Sequence, residues 1–79
     1  MITAKYIRAK GNSIIVFSAA LKHSEFKHFN PVSAGFVDFG VDRDGKMETW
    51  CYGKSESLGL QNHEDDDKLV RMQILNTRY

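Results

Sequence analysis

A chain of 79 residues with 42% hydrophobic content has material for one modest core, which excludes a second domain, so one domain over residues 1–79 is expected. Such a chain buries only about 60–65% of the surface its unfolded form exposes, so stability of roughly a few kcal/mol is expected, and dimerisation would add to it. Lys and Arg number 11 against 10 Asp and Glu, which excludes the overall basic signature of many nucleic-acid binders.

The first element in chain order runs from Ile2 to Ala9 and alternates loosely as a strand does, with Ala4 and Tyr6 on one side and Lys5 and Ile7 on the other. Lys10-Gly11-Asn12 supplies turn residues, and the β-branched run Ile14-Ile15-Val16 follows within Ser13 to Phe17, completing a hairpin. This second strand is apolar on both faces and is expected inside the sheet or under a partner. Ser18 then reads as the N-cap of a short helix through Ala19-Ala20-Leu21-Lys22 toward Phe29, stopped by Asn30-Pro31.

Phe36 to Val41 and Met47 to Tyr52 are two extended runs flanking Asp42-Arg43-Asp44-Gly45-Lys46, where the Asp-Gly pair is a strong hairpin signal. Gly53 to Ser55 breaks the strand, and Leu58 to Leu60 reads as a fifth strand or an ordered loop. A C-terminal helix is expected from His63 to Leu75, with Asn62 as N-cap and Asp65 at its third position. The acidic run Glu64 to Asp67 suits the positive end of its dipole. The expected fold is therefore α+β: a four- or five-stranded antiparallel sheet of two hairpins, a C-terminal helix packed on one face, and a short helix between the hairpins.

Cys51 is the only cysteine, so no disulfide forms within the chain and a reducing compartment, the cytoplasm, is expected. Lys5 and Arg8 interrupt any signal-peptide apolar run, and no segment approaches a membrane span.

The chemical motifs are fragments. Gly53-Lys54-Ser55 resembles the end of a phosphate-binding loop, but Glu48 stands where that loop needs its first glycine. Asp42-Arg43-Asp44-Gly45 resembles part of a calcium loop, but Gly40 and Cys51 occupy two of its ligand positions. His23, His28, His63 and Cys51 show no paired spacing for zinc, and no metal or cofactor is expected.

Three functional readings follow. The preferred one is a non-enzymatic binding or interaction module, self-associating or holding a protein partner, with Trp50, Tyr52, Val70 and Ile74 as contact residues. The first alternative is a nucleic-acid-binding domain in which Lys5, Tyr6, Arg8 and Lys10 of the basic N-terminal hairpin hold the backbone and stack on bases. The second is a small enzyme or ligand binder using a pocket near His23, Cys51 or Lys54, with Cys51 and His23 meeting as thiol and base.

Overall fold

The computed structural model describes residues 2–76, with side-chain surroundings as far as residue 73. Strands β1 (Ile2–Ala9), β2 (Ser13–Ser18), β3 (Pro31–Val41) and β4 (Met47–Tyr52) form one antiparallel sheet in the order β2-β1-β3-β4. A 3-10 helix (His23–Phe29) connects β2 to β3, and a two-residue hairpin of β5 (Lys54–Ser55) and β6 (Leu60–Gln61) follows β4. Helix α1 (Asp66–Asn76) ends the described chain. The α+β sheet and its C-terminal helix are those the sequence patterns predict.

Alternation along the strands divides the sheet into two faces, because successive side chains point to opposite sides. On one face Ala4, Tyr6, Ile14 and Val37 pack with Val70 of α1, flanked by Phe39, Cys51 and Leu69. On the other, Ile7, Phe17 and Ala34 pack against Phe26 of the 3-10 helix and against Leu58 and Leu60 of the small hairpin. The sheet is thus the middle layer of three. This explains the doubly apolar β2: it lies at the sheet edge, not in its interior, but Ile14 and Phe17 are buried on opposite faces, while Val16 stays exposed. Its open edge is partly closed by Gln73, whose side-chain amide accepts from Ile14 N at 3.2 Å and donates to Ile14 O at 2.6 Å, a common device against edge-to-edge pairing.

Three boundaries differ from the sequence reading. Strand β3 begins at Pro31, five residues before the expected Phe36. A proline fits the first position of a strand, where a missing amide hydrogen costs little. Ser18 closes β2 instead of capping a helix; its hydroxyl accepts from Ala20 N at 3.1 Å within a turn, and the helix that follows is of the tighter 3-10 kind. Helix α1 starts at Asp66, three residues after the expected His63, and a turn through Glu64 and Asp65 precedes it. His63 Nδ1 accepts from Asp65 N at 3.1 Å, while Asp66 Oδ2 accepts from His63 N at 2.8 Å, the reciprocal pattern of a capping box.

The same Asp66 carboxylate, fully buried, accepts the Tyr6 hydroxyl and lies 3.2 Å from Arg8 Nη1. Beside it, Thr49 Oγ1 donates to Asp67 at 2.8 Å. One turn of α1 is therefore bound to β1 and β4 by polar contacts, while Val70 supplies the apolar contact. A buried acid whose counter-charge and donors come from the sheet has a large penalty for losing them. Asp66→Ala, which strands Arg8 without its counter-charge, is expected to cost about 3–5 kcal/mol, and Tyr6→Phe about 1–3 kcal/mol. Urea unfolding followed by circular dichroism reads both; a loss below 0.5 kcal/mol (roughly the range of ordinary surface substitutions) for Asp66→Ala would show that this contact does not hold the helix.

Candidate functional site

The structure redistributes the residues singled out from sequence. Tyr6 is fully buried in the helix-side core, so it is no stacking platform for a base. Arg8, its side chain 14% exposed, is engaged with Asp66, and only Lys10 of that group stands exposed in the first turn. Val70 is likewise fully buried and belongs to the core, because its place on α1 faces the sheet. Ile74 lies in the helix, but its side chain is outside the described residues. Trp50 and Tyr52 are 42% and 43% exposed, on the face opposite α1.

His23 and Cys51 are separated by the sheet. Cys51 packs with the Tyr6 cluster beneath α1, whereas His23 lies on the other face with its ring 5.6 Å from Phe17 and 5.7 Å from Phe36, edge-on to both. They form no thiol and base pair. Burial, reinforced by the charges of Asp67 and Asp66, pushes the Cys51 thiol up to about 12, so it is a poor nucleophile at neutral pH. His23 is structural: it is buried, and Nε2 donates to Gly35 O at 2.8 Å, which ties the 3-10 helix to β3. Among the described residues, no three His, Cys, Asp or Glu side chains come together as a metal site.

What the fold does bring together is a cleft of about 520 Å³ on the face opposite α1, lined by Lys5, Lys22, His23, Phe36, Tyr52 and residues 53–57. Its floor is aromatic because Phe36 and Tyr52 are register partners on β3 and β4, with ring centroids 5.8 Å apart and planes inclined by 23°. Lys5 reaches it because lysine alternates with Tyr6 along β1, and its ammonium is held by Leu21 O at 2.7 Å and lies 6.0 Å from the Phe36 centroid. Lys22 enters from the segment before the 3-10 helix, whose first turn is fixed by Lys22 N donating to Glu25 Oε2 at 2.8 Å.

Lys54 is placed by the turn after β4. Gly53 has φ +78, and a Cβ there would stand 3.1 Å from the Phe36 ring, so glycine is required both by conformation and by space. Gly53 O accepts from Asn62 N at 3.0 Å, closing the small hairpin. Ser55 is buried and its hydroxyl accepts from Leu58 N at 3.3 Å. Gly53 is therefore the link that ends β4, and Lys54-Ser55 is the first strand of the small hairpin and not a phosphate loop opening a helix. Its lysine nevertheless joins the other two at the cleft, a conjunction invisible in sequence because Lys5, Lys22 and Lys54 come from three distant segments.

Beyond Tyr52 the face continues to Trp50, two residues back on β4 and paired with Asp38. The Asp38 carboxylate accepts from Thr3 Oγ1 at 2.7 Å and from the Tyr52 hydroxyl at 3.0 Å. That hydrogen bond raises the Tyr52 phenol above its ordinary value. The acidic groups on this face include Asp38, Glu48 two residues before Trp50 on the same side of β4 and, at the cleft wall, Glu56.

Fold and cleft together define a small three-layer α+β domain with one face that carries lysines and aromatic rings. No protein-family model matches the chain, and no curated protein and no solved structure shows significant similarity to it.

The buried acids yield a pH prediction. The Cys51 thiol, raised from 9.0 to about 12, and the Tyr6 phenol, raised still further by burial and Asp66, are both held neutral by the fold. Their stabilising effect is fully present below the unfolded values and is lost as pH rises past them. Unfolding free energy is expected to be level near neutrality and to fall above about pH 9. Urea titrations from pH 7 to 11 check this, and Cys51→Ala is expected to make the decline shallower.

Proposed function

We propose that this protein is a non-enzymatic binding module that takes an anionic ligand in the cleft between Lys5, Lys22 and Lys54. The observation that carries the reading is the convergence of three lysines from separate segments on one cleft of about 520 Å³ with an aromatic floor. A volume of this size accommodates a small ligand or part of a larger one. Ammonium groups gathered at one rim repel one another, and an anion relieves that repulsion while gaining charge-assisted hydrogen bonds. The non-enzymatic part is supported by the separation of Cys51 from His23 across the sheet. A cytoplasmic site of action is supported by Cys51 as a free thiol and is compatible with the described helices, none of which is long and apolar enough to cross a membrane.

Inorganic tripolyphosphate is the direct probe. Titrated into labelled protein and followed by proton–nitrogen NMR at low salt, it is expected to shift the backbone amides of Lys22, Lys54 and Ser55, with the shifts lost in Lys22→Glu/Lys54→Glu and weakened by added salt. Shifts confined to other surfaces, or none, would sink the reading.

A second reading, self-association, is favoured by a different observation. Ile2 and Val41 are each 70% exposed and Met47 is 50% exposed, and all three lie where β1, β3 and β4 meet at one end of the sheet. Pairing two such ends would cover apolar surface that a small domain otherwise leaves in water. Light scattering across a concentration series is expected to show a homodimer that Val41→Asp converts to monomer; a monomer at every concentration would refute it.

A further inference from the structure

The anion-binding reading leaves open what kind of anion fits, and the face around the cleft narrows it. Tyr52 and Trp50 are alternate residues of the edge strand β4, so their rings emerge on the same side, about 6.7 Å apart along the strand, and each keeps more than two-fifths of its surface exposed. Tyr52 lines the cleft and Trp50 lies outside it, so a ligand filling the cleft and covering both rings is extended along β4. The Tyr52 ring is backed by Phe36 at 5.8 Å, nearly parallel, which holds it as a fixed platform.

The charges have the complementary arrangement. Lys5 is fixed by Leu21 O, and Lys22 and Lys54 stand exposed at the rim; all three line the cleft, whereas Trp50 does not. On the Trp50 side stands Asp38, which faces the rings and is engaged by Thr3 and Tyr52. A ligand that matches this face carries two flat rings spaced along β4, with negative charge gathered at the Tyr52 end where the three lysines line the cleft.

We infer that the cleft face binds single-stranded nucleic acid, with one base stacked on Tyr52, a neighbouring base on Trp50, and the phosphates held by Lys5, Lys22 and Lys54. This rests on the anion-binding reading above. A duplex does not fit the same description, because its bases are stacked on one another and cannot reach the rings. An acidic peptide supplies the charge but not a flat ring at each step. Stacking on exposed aromatic rings tolerates any base, so little sequence preference follows.

The test uses the full chain and fluorescence anisotropy of a labelled eight-nucleotide uridine strand and its deoxythymidine counterpart, with a duplex of equal length, a mononucleotide and inorganic tripolyphosphate as competitors. Single strands are expected to bind with log K falling with log salt at a slope of about −2, the value for three lysine contacts at −0.7 each. Trp50 emission is expected to quench on binding. Tyr52→Ala and Trp50→Ala are each expected to weaken binding about 5- to 100-fold, whereas Tyr52→Phe, which keeps the ring and loses the bond to Asp38, is expected to retain it. Circular dichroism verifies that each variant is folded.

Equal binding by wild type and both alanine variants, or competition by duplex, mononucleotide or tripolyphosphate as strong as by single strand, would overturn the nucleic-acid assignment while leaving an anion-binding cleft. Failure of oligonucleotide and tripolyphosphate alike overturns both.

Discussion

The buried carboxylate of Asp66 is the contact on which the arrangement of layers depends. It accepts from the Tyr6 hydroxyl and from His63 N, and it faces Arg8 across 3.2 Å. In one group it therefore begins helix α1, attaches that helix to the central strand β1, and neutralises a cation that the sheet would otherwise bury alone. A buried ion pair adds little net stability over an apolar contact of the same shape, but breaking one half of it is costly, and its directionality distinguishes one docking of the helix from others. Here that directionality fixes which turn of α1 meets β1, while Val70 provides contact without specifying register.

Once α1 occupies one face, the other must be covered by what the chain has left, and this gives rise to the cleft. The 3-10 helix and the β5–β6 hairpin cover Ile7, Phe17 and Ala34, but neither extends over the β4 side. Phe36, Tyr52 and Trp50 consequently stay at the surface beside the two covering elements, and the gap between these elements and β4 is the cleft. Gly35 shows how closely β3 and β4 meet at this point: a Cβ on it would stand 2.5 Å from Tyr52 O, so a side chain there would push β4 away from β3. The cleft face is thus a by-product of incomplete coverage, with Lys22 before one covering element and Lys54 in the other.

The aromatic groups on this face form a continuous series, from Tyr52 through Phe36 and His23 to Phe17 and Phe26, with neighbouring centroids between 3.9 and 5.8 Å apart. His23 sits in the middle of it as a packing group whose Nε2 is bonded to Gly35 O. That bond holds the 3-10 helix to β3. Tyr52, at one end of the series, and Trp50 beyond it keep exposed rings, and Phe36 backs the Tyr52 ring.

Local patterns in the sequence determined the elements themselves: the alternation of Ile2–Ala9, the Asp-Gly turn between β3 and β4, whose Asp42 carboxylate accepts from Asp44 N and Lys46 N at 2.9 Å each, and the amphipathic C-terminal helix. These are encoded within a few residues of one another, so periodicity and turn chemistry reveal them. The start of β3 at Pro31 was hidden, because proline signals a stop locally and only its place at a strand end in the sheet allows pairing to begin there. Which face each strand residue takes was decided by tertiary structure: alternation says that Lys5 and Tyr6 point oppositely, but only the docking of α1 says which is buried. For that reason Tyr6 and Val70, exposed contacts on a sequence reading, belong to the core, and the basic hairpin is divided between two faces. The meeting of Lys5, Lys22 and Lys54 around two aromatic rings is of the same kind. Its members lie many residues apart, and no spacing rule links them, since the distances that matter pass through the sheet and not along the chain.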